Sequence, residues 1–187
     1  MTGPPTRSAD AFSPLSLLIA VGLIVGLVAW LRPGVEPAQA SVAPAAPTRL
    51  VVPSLDLRAT VVPIEVDAQG VLFPPDDVAD VGWWKRSARP GSDRGPTVLT
   101  GHTVSDGGGV MDRLGELRRG DRVVVRTPEG RIAYETADVR VYSRSELASA
   151  KDELFSRRGE SRLVLITCTD WDGEDYLSNT VVLATPA

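Results

Sequence analysis

Cysteine and histidine are nearly absent from this sequence, which contains one of each, Cys168 and His102. A single cysteine excludes an intramolecular disulfide framework, and it also excludes the paired-cysteine spacing of a zinc finger. Basic residues are outnumbered, because 20 Lys and Arg face 24 Asp and Glu and give a formal net charge of -4. With no basic stripe to neutralise phosphates, the sequence predicts no nucleic-acid partner.

Charged residues are also absent from the stretch between Leu15 and Leu31, which is apolar except for Ser16. A bilayer core needs ~20 apolar residues, so this stretch, extended by its flanking residues, predicts a single transmembrane anchor behind an N-terminal tail of residues 1–14. The alternative is a cleaved signal peptide, because Ala38 to Ala40 read A-Q-A, a small-x-small cleavage pattern. That pattern lies about nine residues beyond the apolar stretch. We therefore expect an uncleaved anchor.

Residues 32–48 are dominated by Pro and Ala and have almost no large apolar side chains. Such a segment cannot bury a core, so it predicts an extended spacer. From residue 49 to residue 187 the composition changes to short β-branched runs separated by Pro, Gly and Asp, which is typical of one all-β domain. The predicted strands are 49–53, 59–67, 97–102, 122–127, 131–143, 162–168 and 179–185. Seven or more strands indicate a barrel or a sandwich.

Helical signals in this domain are few and short. Met111, Leu114 and Leu117 recur at three-residue intervals before a glycine, which predicts about two helical turns. Ser143 followed by Glu146 has the spacing of a capping box and predicts the start of a second helix. The T-P-E-G stretch at 127–130 predicts a hairpin turn.

The two rare residues fall at matching places, because His102 and Cys168 each come at the C-terminal end of a predicted strand. A thiolate is a strong nucleophile, and a nearby imidazole can exchange protons with it and with a leaving amine. The alternative is an inert core cysteine and a hydrogen-bonded loop histidine. Polar, Gly-rich loops follow both residues and favour an exposed site. In the second loop, Trp171 and Tyr176 predict either the wall of a groove or a lid.

The domain from Arg49 to Ala187 resembles the sortases, cysteine transpeptidases of Gram-positive surfaces, and most closely their class F type of actinobacteria. The resemblance lies in LVVPSLDLRATVVPIEVDAQG, VGWWKRSARPGSDRGPTVLTGHT, VMDRLGELRRGDRVVV, LVLITCTD and SNTVVLATP. It implies a closed eight-stranded β-barrel with short helices, preceded by a membrane anchor. It also implies that Cys168 is the nucleophile and that His102 is the general acid and base.

The sequence departs from this family at the third expected residue, an arginine in the last strand. Asn179 stands at that position, and no Arg or Lys occurs between Cys168 and Ala187. An asparagine amide can donate to an oxyanion. The site is therefore completed by Asn179, by Arg144 or another distant guanidinium, or it is degenerate. For Arg140 and Arg144 themselves the sequence favours a solvated surface role.

The acidic loop after Cys168 raises the question of a metal, because Asp170, Asp172, Glu174 and Asp175 fall within six residues. Carboxylates are calcium ligands, and some sortases of other classes bind calcium, but the spacing matches no fixed calcium loop. We expect a solvated acidic loop, and we predict neither a metal nor a cofactor.

Three functions are consistent with these observations. The first is a sortase at the cell membrane, its catalytic domain outside the cell, that cleaves an L-P-x-T-G-like sorting peptide and passes the acyl group to a cell-wall amine. The second is an L,D-transpeptidase, which is disfavoured because that family holds its histidine and cysteine close together in an S-H-G-C element. The third is a sortase-like barrel that binds surface peptides with weakened or no catalysis.

Overall fold

The computed structural model describes residues 42–187. The predicted tail, the anchor at 15–31 and most of the spacer lie outside the described residues. Within residues 42–187, no helix is both long enough and apolar enough to span a membrane.

Eight strands and one α-helix make up the domain. The strands are β1 (Arg49–Val52), β2 (Leu57–Ile64), β3 (Val81–Trp84), β4 (Pro96–Gly101), β5 (Arg122–Thr127), β6 (Gly130–Ser143), β7 (Arg162–Trp171) and β8 (Tyr176–Pro186), and the helix is α1 (Arg144–Phe155). Short 3₁₀ turns occupy Pro53–Leu55 and Leu114–Glu116.

The strands close into a barrel in the order β1-β2-β3-β4-β7-β8-β6-β5, with β5 paired back to β1. The pairs β2–β3 and β4–β7 are parallel, and the remaining pairs are antiparallel. The predicted closed eight-stranded barrel is confirmed.

Alternation along β7 shows how the sequence separates two hydrophobic clusters. Leu163 and Leu165 point into the barrel, where they join the main core, while Val164 and Ile166 point outward into a second cluster. Neighbouring side chains of a strand face opposite sides of the sheet, so a strand that is apolar on both faces needs a cover on each. Helix α1 supplies the outer cover.

Helix α1 lies against the outer face of the sheet through Leu147, Ala150 and Leu154, which share one helical face. Ser143 caps the helix: its hydroxyl accepts from the Glu146 backbone, and the Glu146 carboxylate accepts from the Ser143 backbone. The predicted capping box is confirmed, as is the hairpin turn, where Gly130 opens β6 at φ 145°.

The structure corrects three local predictions. Strand β3 was missed, because four residues that include two tryptophans carry no clear alternation. The predicted two-turn helix after residue 110 is wrong: the chain forms turns and a single 3₁₀ turn at Leu114–Glu116, which buries Met111, Leu114 and Leu117 in the core. Cys168 was expected at a loop mouth, but β7 continues to Trp171 because it remains paired with β8.

Candidate active site

The parallel pair β4 and β7 brings the rare histidine and cysteine together. Thr97 pairs with Leu163, and each later pair keeps the same offset up to Thr100 and Ile166. Cys168 lies two residues beyond Ile166 on β7, and His102 lies two residues beyond Thr100, directly after the end of β4. Continuing the same offset brings the two residues side by side, and both line the same cleft. The Thr167 hydroxyl donates to the Gly101 carbonyl at 2.8 Å and lies 2.7 Å from the Thr103 hydroxyl, which holds the two chains together there.

Asn179 stands on the other side of the cysteine. It is the direct antiparallel partner of Cys168 on β8, and it also pairs with Tyr142 on β6. Directly paired residues project from the same face with their Cβ atoms ~5 Å apart. One row across β7, β8 and β6 therefore carries Cys168, Asn179 and Tyr142, and His102, directly after the end of β4, continues this row beside Cys168.

This row lies on the outer face of the barrel and opens into a cleft. Cys168 follows Val164 and Ile166 on the outward side of β7, and it is partly exposed. The sulfur is thus not sealed inside the barrel. The cleft has a volume of about 1290 Å³, and His102, Cys168 and Asn179 all line it. Its apolar walls include Val71, Leu72, Phe73, Trp84, Leu147 and Phe155.

The His102 ring is fixed by the segment between β2 and β3. Its Nε2 lies 2.7 Å from the carbonyl oxygen of Pro75. A carbonyl can only accept, so Nε2 carries the proton and donates it. This leaves Nδ1 as the nitrogen that can accept a proton in the neutral ring, and the bond sets both tautomer and orientation.

The loop that follows His102 is held by one carboxylate. Asp112 accepts from the Val104 backbone at 2.8 Å and from the Gly109 backbone at 2.9 Å. The Met111 amide also donates to the His102 carbonyl at 2.9 Å. The polar, Gly-rich loop is therefore tied back at the strand end that carries the histidine.

Two opposing influences act on the thiol. Burial raises the pKa of Cys168 above its ordinary value, and the positive charge of Arg144 lowers it, while the negative charge of Asp175 raises it further. Burial is the largest of these influences. The raised pKa favours the thiol form of Cys168 over the thiolate.

The acidic stretch after Cys168 forms the tip of the β7–β8 hairpin. The Asp172 carboxylate accepts from the backbone of Glu174 and Asp175 at 2.8 Å each, and these bonds lower its pKa. Asp175 binds the Arg144 guanidinium at 2.6 Å, and that hydrogen bond lowers the Asp175 pKa. Across residues 42–187, no group of three or more acidic, histidine or cysteine side chains is arranged to hold a metal ion.

The two aromatic residues of the hairpin have different positions. Tyr176 lines the cleft, whereas Trp171 is 45% exposed. Their ring centroids are 5.0 Å apart at an interplanar angle of 54°. Tyr176 is thus a wall residue, and Trp171 packs behind it.

Arg140 and Arg144, which the sequence assigned to the surface, occupy different positions relative to the cleft. Arg140 forms an ion pair with Asp138 at 2.5 Å and does not line the cleft. Arg144 lines the cleft together with Cys168.

Sequence reasoning also missed the Pro75 carbonyl and the apolar walls of the cleft. A backbone acceptor leaves no sequence signal, but the apolar face of α1 at 147, 150 and 154 was readable.

Comparisons with known proteins agree on one family. The model of the sortase domain matches residues 50–187. Among solved structures, sortase C-1 from Actinomyces oris is 25% identical, with 84% of this chain and 85% of that chain covered at a TM-score of 0.58. A lid mutant of sortase A from Corynebacterium diphtheriae shares the fold at 18% identity, with 81% and 74% covered at a TM-score of 0.59. No curated protein matches the chain.

Proposed function

Because the chain belongs to the sortase family of cysteine transpeptidases, we propose that it cleaves an L-P-x-T-G-like sorting peptide through a thioacyl intermediate on Cys168. The enzyme class follows from the family. The assignment of Cys168, His102 and Asn179 rests on their common row in an open cleft.

In the first step the Cys168 sulfur attacks the threonine carbonyl carbon. A carbon–sulfur bond forms, the carbonyl oxygen becomes an oxyanion, and His102 accepts the thiol proton. The Asn179 amide, one strand away from the sulfur, donates a hydrogen bond to the oxyanion. The Pro75 carbonyl keeps the imidazolium in place, since it accepts from Nε2.

In the second step the tetrahedral intermediate collapses. The carbon–nitrogen bond breaks, and His102 returns its proton to the departing amine. A thioester remains on Cys168. An incoming amine then attacks that thioester, His102 takes its proton, and the restored thiol regains a proton as the carbon–sulfur bond breaks.

The substrate and location of the enzyme follow from the same proposal. The apolar walls of the cleft suit the leucine and proline of a sorting peptide. The acceptor is an amine of the cell wall, and the anchor at 15–31 holds the domain outside the cell. The subtype is class F, which rests on the resemblance of VGWWKRSARPGSDRGPTVLTGHT.

The carrying observation is the shared register that puts a histidine and a cysteine side by side at the mouth of an apolar cleft. The test incubates the full chain, in detergent micelles, with an L-P-x-T-G peptide. Intact-mass spectrometry should detect the acyl fragment as a hydroxylamine-sensitive adduct on Cys168. Cys168→Ala should give no adduct, and His102→Ala should lower its rate by roughly 10²-fold or more.

Two results would contradict this proposal. Transpeptidation that persists in Cys168→Ala would remove the nucleophile. Saturable peptide binding without any adduct, across a panel of sorting peptides, would instead indicate a peptide-binding module with weakened catalysis.

A further inference from the structure

We propose that Arg144 is the cation of this site, and that its guanidinium binds the substrate carbonyl oxygen that becomes negative when Cys168 attacks. The inference deepens the proposed transpeptidase function and rests on it. Arg144 is the first residue of α1. The resemblance to the family led us to expect the basic residue in the last strand, where this sequence has Asn179 instead.

The strand register carries the arginine to the sulfur. Ser143, the last residue of β6, pairs with Ser178 of β8, which pairs with Thr169 of β7. Arg144 comes directly after Ser143, whereas Cys168 comes directly before Thr169 and is level with Tyr142, so Arg144 lies two residues further along than the cysteine. Strands lie ~4.8 Å apart, so the arginine starts about 10 Å from β7, with only β8 between them. An extended arginine side chain covers most of that separation.

Contacts made by Arg144 direct its side chain over the hairpin. Its Nη2 donates to the Asp175 carboxylate at 2.6 Å and to the Tyr176 carbonyl at 2.7 Å. Tyr176 lines the cleft, so the guanidinium is held at the cleft rim. Both bonds use Nη2, which leaves the N–H groups of Nε and Nη1 for a substrate oxygen.

The positive charge of Arg144 acts on the ionisation of the Cys168 thiol. It lowers the pKa of Cys168 against the effect of burial, and Asp175 acts in the opposite direction. His102, which follows β4, and Tyr176 of β8 also line the cleft, as do the charged residues Asp152 and Arg158. Among the charged residues, only Arg144 and Asp175 shift the pKa of Cys168. Lys151 also lines the cleft, but it lies seven residues along α1, about 10 Å from Arg144 along the helix axis.

Asp175 has a defined part in this arrangement. It orients the guanidinium over the hairpin and offsets its charge while the cleft is empty. Removal of Asp175 should therefore strengthen the effect of Arg144 on a negative group at the sulfur, and removal of Arg144 should weaken it. Opposite effects from the two halves of one ion pair distinguish an electrostatic role from a structural one.

The first experiment uses thiol probes and needs no peptide substrate. Cys168 of the full chain reacts with two methanethiosulfonates, one with an anionic sulfonate and one with a cationic trimethylammonium group. Each transfers its thioalkyl group to the thiolate and releases methanesulfinate. Arg144→Gln should lower the ratio of anionic to cationic rates by about fivefold, the equivalent of about 1 kcal/mol for a close charge in water. Asp175→Asn should raise that ratio.

Matched controls come from the neighbouring ion pair on β6. Arg140→Gln and Asp138→Asn remove an exposed arginine and its carboxylate partner outside the cleft. Both should leave the rate ratio unchanged. A ratio in Arg144→Gln that equals the wild-type ratio overturns the inference, whatever the transpeptidation result.

The second experiment measures transpeptidation. Arg144→Gln should lower kcat by roughly 10²-fold with a smaller change in KM, because the contact forms as the oxyanion develops. Arg144→Lys should recover the probe ratio but only part of kcat, since an ammonium lacks the fork of a guanidinium. An unchanged kcat in Arg144→Gln overturns the inference. A wild-type protein that forms no thioacyl adduct contradicts the proposed function instead, and the probe ratio then still tests Arg144.

Discussion

At the scale of single residues, the ionisation of the Cys168 thiol depends on opposing effects of burial and of nearby charges. Cys168 is partly buried on the outer sheet face, which disfavours the thiolate, and Arg144 at the cleft rim favours it. Because burial has the larger effect on the pKa of Cys168, the thiol form is favoured, and the proposed mechanism forms the thiolate during attack. In that proposal His102, held by the Pro75 carbonyl, is the base that accepts the proton.

This balance predicts the pH dependence of alkylation. A raised pKa means that less thiolate is present at pH 7 than in a free cysteine, whose pKa is about 8.5. The rate of Cys168 alkylation by iodoacetamide should therefore still be rising at about pH 9.5, one unit above the pKa of free cysteine, where the rate for free cysteine approaches its plateau. Stopped-flow or mass-spectrometric rates between pH 6 and pH 10 measure it. A plateau already reached below about pH 8 would show that the thiolate is stabilised.

At the scale of elements, helix α1 both covers the outer cluster and presents Arg144. Its first turn is set by the reciprocal bonds of Ser143 and Glu146. The side-chain and backbone bonds from Ser143 lower the pKa of Glu146. A depressed carboxyl pKa stabilises the fold above the unfolded value near 4.3, and that contribution disappears as the pH falls through the folded pKa.

The capping box gives a prediction for Ser143→Ala. Loss of the cap should reduce the free energy of unfolding by about 1 kcal/mol. It should also slow transpeptidation, because the cap sets the start of the helix from which Arg144 projects. Urea denaturation and initial rates measure the two effects. Ser149→Ala, in the middle of the same helix, is the control and should change neither by as much.

At the scale of the whole molecule, barrel closure is what holds the row of site residues in register. The row spans β7, β8 and β6 and continues at the end of β4, which pairs in parallel with β7 although the two strands are far apart in sequence. Leu165 belongs to β7, the strand that carries Cys168, and its fully buried side chain is part of the main core inside the barrel.

Leu165→Ala should therefore destabilise the whole domain. Deletion of a fully buried leucine side chain costs about 2–5 kcal/mol, from lost burial and from the cavity. Thermal unfolding by circular dichroism should show one cooperative transition at a lower Tm. Leu177→Ala is the control, because Leu177 is 51% exposed and should shift the free energy of unfolding by less than about 0.5 kcal/mol. Equal shifts in the two variants would contradict this assignment of the core.

Much of the fold could be read from local patterns. Seven of the eight strands follow from β-branched runs, and the hairpin at Gly130 and the cap at Ser143 follow from turn and capping chemistry. Strand β3 could not be read, because Val81–Trp84 owes its strand geometry to its partners β2 and β4. The turns around Leu114 were predicted as a helix for a similar reason: the helical spacing of the apolar residues was visible in the sequence, but their burial against the barrel was not.

The site was predictable in part. The positions of Cys168 and His102 at strand ends were visible, and a resemblance gave them roles. The place of Arg144 was not, because it depends on the β6–β8–β7 register, which no local pattern encodes. The Pro75 carbonyl was invisible for the same reason, since 27 residues separate it from His102.

The sequence by itself determined where strands form, where the helix is capped and which two rare side chains could react, because these depend on neighbours along the chain. The tertiary structure alone decided that those side chains share one row, that the row faces an open cleft instead of the core, and that a helix brings a guanidinium to it. Such placements depend on how distant strands pair, and pairing is set by barrel closure and the burial of two hydrophobic clusters.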